Sequence, residues 1–378
     1  MLNKIKLWFL TNEEKLFIRE SRPKQKVDSG YFTLFQCTYD YSYLKSYKKI
    51  IENENEVDFI GVFPNIVYTT FYEWLLIINF FFKNIFHLLI RRKWKKIYSS
   101  LGIYLFYNTR KIGLINKLKN FINAYKFFRS LETKKQILNH SHKGIYCGDL
   151  IYDSFLRYNK KETIDIKNLT LLLYIYDCYN QIFFYSDLCS KVKISTYYST
   201  FSTYIGHGIP VRIFLSLGID VFTLSIMDEK KSITQNHRVY HLKKLSKDDH
   251  FHCRKHWKYR SSFKFLENQK TLQKKGYDNF KNRFEGINDL SYMKKNQYSS
   301  KHSIPFDGKF DGVVFLHDFF DSPHIFRDMV FEDFYEWTVY TIQFSIKNKL
   351  NIGFKPHPNQ LDESRQVVNK LKLEYPKI

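Results

Sequence analysis

The chain has 378 residues, and its 60 Lys and Arg against 37 Asp and Glu leave a formal charge of +23. Apolar residues make up 44% and aromatics 19%, with 14 Gly and 8 Pro, which excludes a disordered or collagen-like chain and leaves a globular protein of about two domains. The excess of Phe, Tyr, Lys, Asn and Ile is what AT-rich coding produces, so part of the charge carries no functional information, yet a basic surface still attracts nucleic acid, phospholipid or a phosphate-bearing substrate.

The opening MLNKIKLWFLTNEEK has an apolar patch that charges interrupt at once, so a secretory signal is not expected. Cys37, Cys147, Cys178, Cys189 and Cys253 are scattered without a C-x-x-C pair, which argues against a disulfide framework and for a reducing, cytoplasmic home. After a first expected strand, Asp58 to Phe63, the stretch Phe71 to Ile90 is apolar but broken by Glu73, Asn79, Lys83, Asn84 and His87. Asn84, His87, Arg91 and Lys95 form one polar stripe on a helical repeat, with RRKWKK following directly, so the expectation is an amphipathic helix and not a span. It suits either a core helix with a lysine-rich face or a helix lying on the anionic inner face of a plasma membrane.

Further strands are expected at Gly102 to Tyr107, Lys193 to Tyr198, Asp220 to Leu224, Gly312 to Leu316 and Asn351 to Lys355, alternating with helical patterns. In one unit KISTYYSTF leads through GHGIP into the helix VRIFLSLG and the strand IDVFTL. In the other, GVVFL is followed by HDFFDSPH, the helix FEDFYEWTVYTIQFSIKN, the strand NIGFKPHPN and a last helix DESRQVVNKLKLEYP. Such alternation predicts an α/β fold with mainly parallel strands. The polar, lysine-rich run from about 236 to 301 reads as interdomain helices. The expected domains are 1–304 and 305–378, the second incomplete at its carboxyl end because only two strands precede residue 378.

Ligands in open α/β sheets sit beyond the carboxyl ends of strands, which singles out two loops. The first carries His317, Asp318, Asp321, Ser322 and His324, with Asp321 and Ser322 also fit to form a turn and cap. The second carries Lys355, His357 and Asn359, with two prolines fixing the backbone around His357. In the first domain, Gly206, His207 and Gly208 suggest a strand-to-helix turn that allows close approach of a ligand or simply serves the turn, and Arg212 is placed to clamp a phosphate. Asp248, His252 and His256 share a helical face beside Cys253, but the run around them is polar throughout, so a solvated face is expected and no metal site.

HDFFDSPHIF followed by FYEW and then KPHPN resembles the carboxyl-terminal half of bacterial capsule and surface-polysaccharide biosynthesis proteins, which are glycosyltransferases of the two-Rossmann GT-B kind. GIYCGDLIYDSFLRYN at residues 144–159, GVFPN near residue 61 and FEGIND near residue 284 resemble their other parts in order. The resemblance implies a nucleotide-sugar donor bound largely by the second domain and a glycan or lipid-linked glycan acceptor approached by the first, with no cofactor. Lys355, His357, Asn359, Asp321, Ser322 and His324 would then face the donor, and His317, Asp318, Asp149 and Asp153 would be catalytic candidates, with His207 and Arg212 near acceptor or phosphate. Asp149 fits equally a helix cap. The family continues past K-P-H-P-N through further strands, so the chain as given is expected to be inactive or weakly active alone. Rival readings are an epimerase or glycerophosphotransferase of similar fold and a nucleic-acid-binding protein, the last with dispersed lysines and no recognition motif.

Overall fold

The computed structural model describes residues 10–21, 26–39, 43–54, 56–64, 89–226, 239–246, 273–274, 277–278, 281, 310–326, 329–357 and 361–376. The expected amphipathic stretch up to residue 88, nearly all of the run 236–301 with Asp248, His252, Cys253 and His256, and Asn359 lie outside the described residues. Contacts divide the chain into two compact units, one of Met1–Ile151 with Ile166–His250 and one of Tyr152–Asp165 with Phe251–Ile378. Among the described residues no helix is long and apolar enough to cross a membrane.

The first unit is α/β with a mixed, mostly parallel six-stranded sheet. Its strands are β1 (Phe32–Gln36), β2 (Asp58–Phe63), β3 (Leu105–Asn108), β6 (Ile194–Ser199), β7 (Asp220–Ile226) and β8 (Val239–Lys244); a short hairpin of β4 (Ser141–His142) and β5 (Ile145–Tyr146) stands apart. The order is β3-β2-β1-β6-β7-β8, all neighbours parallel except the antiparallel edge pair β7 and β8. Strands β1 and β8 are absent from the expected set, and the strand expected from Gly102 begins at Leu105 because Gly102, at φ 98°, belongs to the preceding turn.

Helices α1 (Asn12–Glu20), α2 (Leu44–Asn53), α3 (residues 89–99), α4 (Leu114–Arg129), α5 (Lys134–Leu138), α6 (Gly148–Asn159), α7 (Leu169–Lys191) and α8 (Tyr204–Ser216) accompany these strands. The core explains the aromatic composition. Phe35 stacks on Tyr198 at 5.1 Å between ring centroids and meets Tyr47 edge-on at 4.7 Å, contacts worth about 0.5–1.5 kcal/mol each beyond their burial. Tyrosine serves here where phenylalanine would not, because Tyr47 and Tyr98 donate their hydroxyls to the Gln36 and Thr38 carbonyls, both at 2.8 Å, where β1 runs out of strand partners.

The turn expected around Gly206 to Ile209 is helical instead: α8 starts at Tyr204 and carries Pro210 inside it. Proline has no N–H to give the Gly206 carbonyl four residues back. The Gln36 amide, at the end of β1, donates to that carbonyl at 3.0 Å in its place. Gly208 is a packing requirement, since an added Cβ would come within 2.5 Å of the Leu150 side chain and 2.9 Å of the Ser202 carbonyl oxygen.

The second unit contains a parallel β-α-β-α run of β9 (Gly312–Phe315), α9 (Phe334–Lys347), β10 (Ile352–Lys355) and α10 (Asp362–Glu374). Val314 and Phe354 turn inward onto a cluster of Leu316, Phe319, Phe320, Ile342, Val367 and Leu371. Asp333 caps α9 by accepting from the Glu336 amide at 2.8 Å, which fixes the helix start three residues later than the sequence pattern suggests.

Candidate functional site

The pairing of β9 with β10 determines what stands at their carboxyl ends. Phe315 is level with Lys355, and Leu316 donates its amide to the Lys355 carbonyl at 2.9 Å. Two residues further on, His317 and His357 are therefore level as well, on chains one strand spacing apart. Their ring centroids are 5.7 Å apart at an interplanar angle of 36°. His317 is held from its other side by Phe334 at the start of α9, with centroids 4.5 Å apart. Its Nδ1 lies 3.3 Å from the Asp318 carbonyl, which can only accept, so in the neutral ring Nδ1 carries the proton and Nε2 keeps the lone pair.

His357 is half-buried, and its pKa is lowered by that burial and then by the neighbouring His317 ring, against the opposing charges of Asp318 and Asp321. An anion seated between the rings would reverse that balance, because it favours the imidazolium. Asp321 is exposed at this edge. Lys355 is exposed too, with its ammonium 5.8 Å from the Phe315 ring centroid on the outer face of the strand pair.

The other candidates in the first loop hold the loop itself. Asp318 is buried, and its carboxylate accepts from the Phe320 amide at 3.0 Å, the Ser364 hydroxyl at 3.1 Å and the Leu361 amide at 2.8 Å. It ties the end of β9 to the start of α10, so the expected catalytic role gives way to a structural one. Ser322 is buried at the entry of a short turn, Pro323–Phe326, its carbonyl accepting from the Ile325 amide at 3.2 Å. His324 is buried with Nδ1 2.6 Å from an Asp153 oxygen and Nε2 3.0 Å from the Glu332 carbonyl. Both ring nitrogens are thus engaged by acceptor groups of the protein itself.

The carboxylates expected to act on the acceptor are likewise engaged. Asp149 and Arg212 form a buried two-pronged ion pair with both N···O distances 2.6 Å, and Arg212 also donates to the Tyr146 carbonyl at 2.8 Å. Burial opposes the guanidinium's charge, but the Asp149 carboxylate more than compensates and the Arg212 pKa is raised. Asp149 also accepts from the Leu150 amide at 2.8 Å in the first turn of α6. Neither residue is placed to clamp a ligand or to take a proton from one. Asp153 is occupied by His324. His207, in the first turn of α8, donates from Nδ1 to the side-chain oxygen Oε1 of Gln36 at 2.7 Å, and burial pushes its pKa down to about 4, so it is neutral at pH 7.

Sequence reasoning missed two nodes. Asp333 accepts from the Tyr152 hydroxyl at 2.6 Å and from the Thr163 hydroxyl, joining α9 to the segment 152–165. Gln36 accepts through its side-chain oxygen from the Thr200 hydroxyl at 2.8 Å and its amide at 3.2 Å, as well as from His207. A polar residue inside the apolar run FTLFQC was the available signal for the second; nothing local marks the first. Among the described residues no group of three or more His, Cys, Asp and Glu is arranged to hold a metal ion. Compared with family models, with curated proteins and with solved structures, the chain matches none.

Proposed function

We propose that the chain is a glycosyltransferase of surface-polysaccharide assembly, GT-B-like in fold, that takes a sugar from a nucleotide-sugar donor to a glycan or lipid-linked glycan. The observation that carries this reading is the facing pair His317 and His357 at the carboxyl ends of two adjacent parallel strands, the position where such sheets receive phosphorylated ligands. The motifs that resemble surface-carbohydrate enzymes contain those same two histidines.

In this reading the acceptor hydroxyl oxygen attacks the anomeric carbon, and its proton passes to His317 Nε2. The bond from that carbon to the donor's diphosphate breaks, and the departing nucleoside diphosphate is met by His357 as the imidazolium. The net charge of +23 favours an acceptor presented at an anionic membrane surface.

The test is calorimetric titration of the chain with UDP and GDP, followed by incubation with labelled nucleotide-sugars and membranes. Binding should tighten as the pH falls through the imidazole range, because an anion favours protonated His357. The His357→Ala variant should bind at least about tenfold more weakly, the loss of one charge-assisted hydrogen bond. Label in a lipid-linked glycan supports the reading. Label in an epimer or a glycerophosphate polymer moves the assignment to another enzyme of similar fold. Steeply salt-dependent oligonucleotide binding with no nucleotide-sugar binding replaces it altogether.

A further inference from the structure

The first unit has its own topological switch point. From β1 the chain goes on to β2 and β3 on one side of the sheet, whereas β6 is followed by β7 on the other, so the connections change direction between β1 and β6. This is the place where open α/β sheets take ligands. Three threonines stand just beyond carboxyl ends at this edge: Thr38 after β1, Thr109 after β3 and Thr203 after β6. They are 7%, 3% and 5% exposed, and none of the three hydroxyls has a hydrogen-bond partner.

Buried hydroxyls without partners are rare, and three along one sheet edge call for an explanation by something that binds there. Thr203 is the most informative. It is the N-cap of α8, where a threonine ordinarily accepts from an amide of the first turn, yet it makes no such bond. The positive end of the helix dipole lies at the same place.

The charge at this edge gives the ligand's sign. Arg91 donates from Nε to the Tyr39 hydroxyl at 3.4 Å, one residue beyond Thr38, and its guanidinium is 5.7 Å from the Phe63 ring centroid at the end of β2. Arg110 directly follows Thr109. Burial and then the charge of Arg91 lower its pKa, with Asp177 and Tyr39 opposing. Asp177, whose charge acts on Arg110, also accepts from the Gln181 amide at 2.9 Å. From β3 across β2 and β1 to β6 the edge runs three strand spacings, about 14 Å, longer than a lone phosphate and suited to a phosphate joined to a sugar ring.

We propose that this edge of the first unit binds a phosphorylated sugar, its phosphoryl group at Arg91, Arg110 and Thr109 and its hydroxyls at Thr38 and Thr203. All of these residues belong to the first unit, and the proposal does not depend on the reading given for the histidine pair of the second.

The experiment uses the full chain carrying His317→Ala and His357→Ala, so that the second unit's histidines contribute nothing, and titrates it with glucose 1-phosphate, glucuronate, glucose and inorganic phosphate by calorimetry. Glucose 1-phosphate should bind best, inorganic phosphate more weakly, and glucose undetectably. In that background Thr203→Val and Thr109→Val should each weaken glucose 1-phosphate binding by about tenfold. They should leave the melting temperature unchanged or raised, because each removes a hydroxyl that is unpartnered in the free protein. Arg110→Gln should abolish binding. Failure of glucose 1-phosphate to bind, binding unaffected by both valine variants, or glucuronate binding as tightly as glucose 1-phosphate would each overturn the proposal.

Discussion

Replacing Asp149 by Asn separates a structural carboxylate from a catalytic one. Both oxygens of Asp149 contact the Arg212 guanidinium at 2.6 Å, and both side chains are buried. Asparagine keeps the shape and the carbonyl that accepts from the Leu150 amide, but it strands a guanidinium that is buried away from solvent. Breaking one side of a buried ion pair costs about 3–5 kcal/mol. Against a typical total of about 5–15 kcal/mol, that is a fifth or more of the stability of the unit. At about 2–4 °C per kcal/mol for a unit of this size, the melting temperature should fall by roughly 6–20 °C. The companion Asp149→Leu/Arg212→Met, which removes both charges, should recover most of the loss and forfeit about 1 kcal/mol for the bond from Arg212 to the Tyr146 carbonyl. Urea unfolding of the wild type, Asp149→Leu, Arg212→Met and the double variant measures the coupling directly. An Asp149→Asn protein that unfolds within about 1 kcal/mol of wild type and yet loses the sugar transfer proposed above would refute this account and return Asp149 to the proposed reaction.

The His207 ring titrates near pH 4 in the folded chain against about 6.5 unfolded, so between those values the unfolded state binds more protons. Its contribution is complete above pH 6.5 and is lost as the pH falls toward 4, by up to about 3 kcal/mol less a reduction for the ring's partial contact with solvent; urea midpoints across this range should slope upward with pH, and His207→Gln should flatten the slope. Gly148→Ala would set a Cβ 1.9 Å from the Ile137 carbonyl oxygen and 2.6 Å from that of Leu138, so the backbone must move and the midpoint should drop by about 3 kcal/mol or more, whereas an unchanged midpoint would contradict this packing. Tyr152→Phe removes the hydroxyl that donates to the buried Asp333 carboxylate at 2.6 Å and should cost about 1.5–3 kcal/mol; hydrogen exchange in the first turn of α9 should rise with it, and no change there would show that Asp333 does not depend on Tyr152.

The parts of the fold legible in the sequence are those with local causes. The runs DFIGVF, DVFTL, GVVF and IGFK are short, β-rich and bounded by turn residues, and each became a strand. The helix after Asp333 and the helix after Leu361 follow their apolar stripes. What was not legible depends on distant partners. Pro210 and two glycines argue locally against a helix at Tyr204 to Ser216, and only the Gln36 amide, remote in sequence, supplies the bond that proline withholds. The same holds for the acids. Asp149 and Asp153 lie four residues apart on one helix and read alike, but one meets Arg212 and the other His324, and neither choice is written in GDLIYD. Position at a strand end was enough to select His317 and His357, because parallel register alone brings them level.

That difference also sorts the histidines. A histidine that handles a substrate must be reachable and must be able to change its protonation near working pH. His140, His142 and His207 fail the second condition: burial lowers all three to about 4, with His142 adding to the effect on His140 and Lys143 to that on His142. Their rings are occupied in packing or bonding, His142 lying 3.6 Å from the Tyr179 ring centroid and His140 bonded to the Tyr179 hydroxyl at 2.8 Å. His324 fails the first, with acceptors on both nitrogens and little exposure. His317 and His357 are partly open, adjacent, and set so that a bound anion changes the proton affinity of at least His357. If the proposed transfer takes place, its pH profile should carry the ionisation of His357, and removing His357 should alter the profile's shape, whereas removing His140 or His142 should change stability and leave that shape intact.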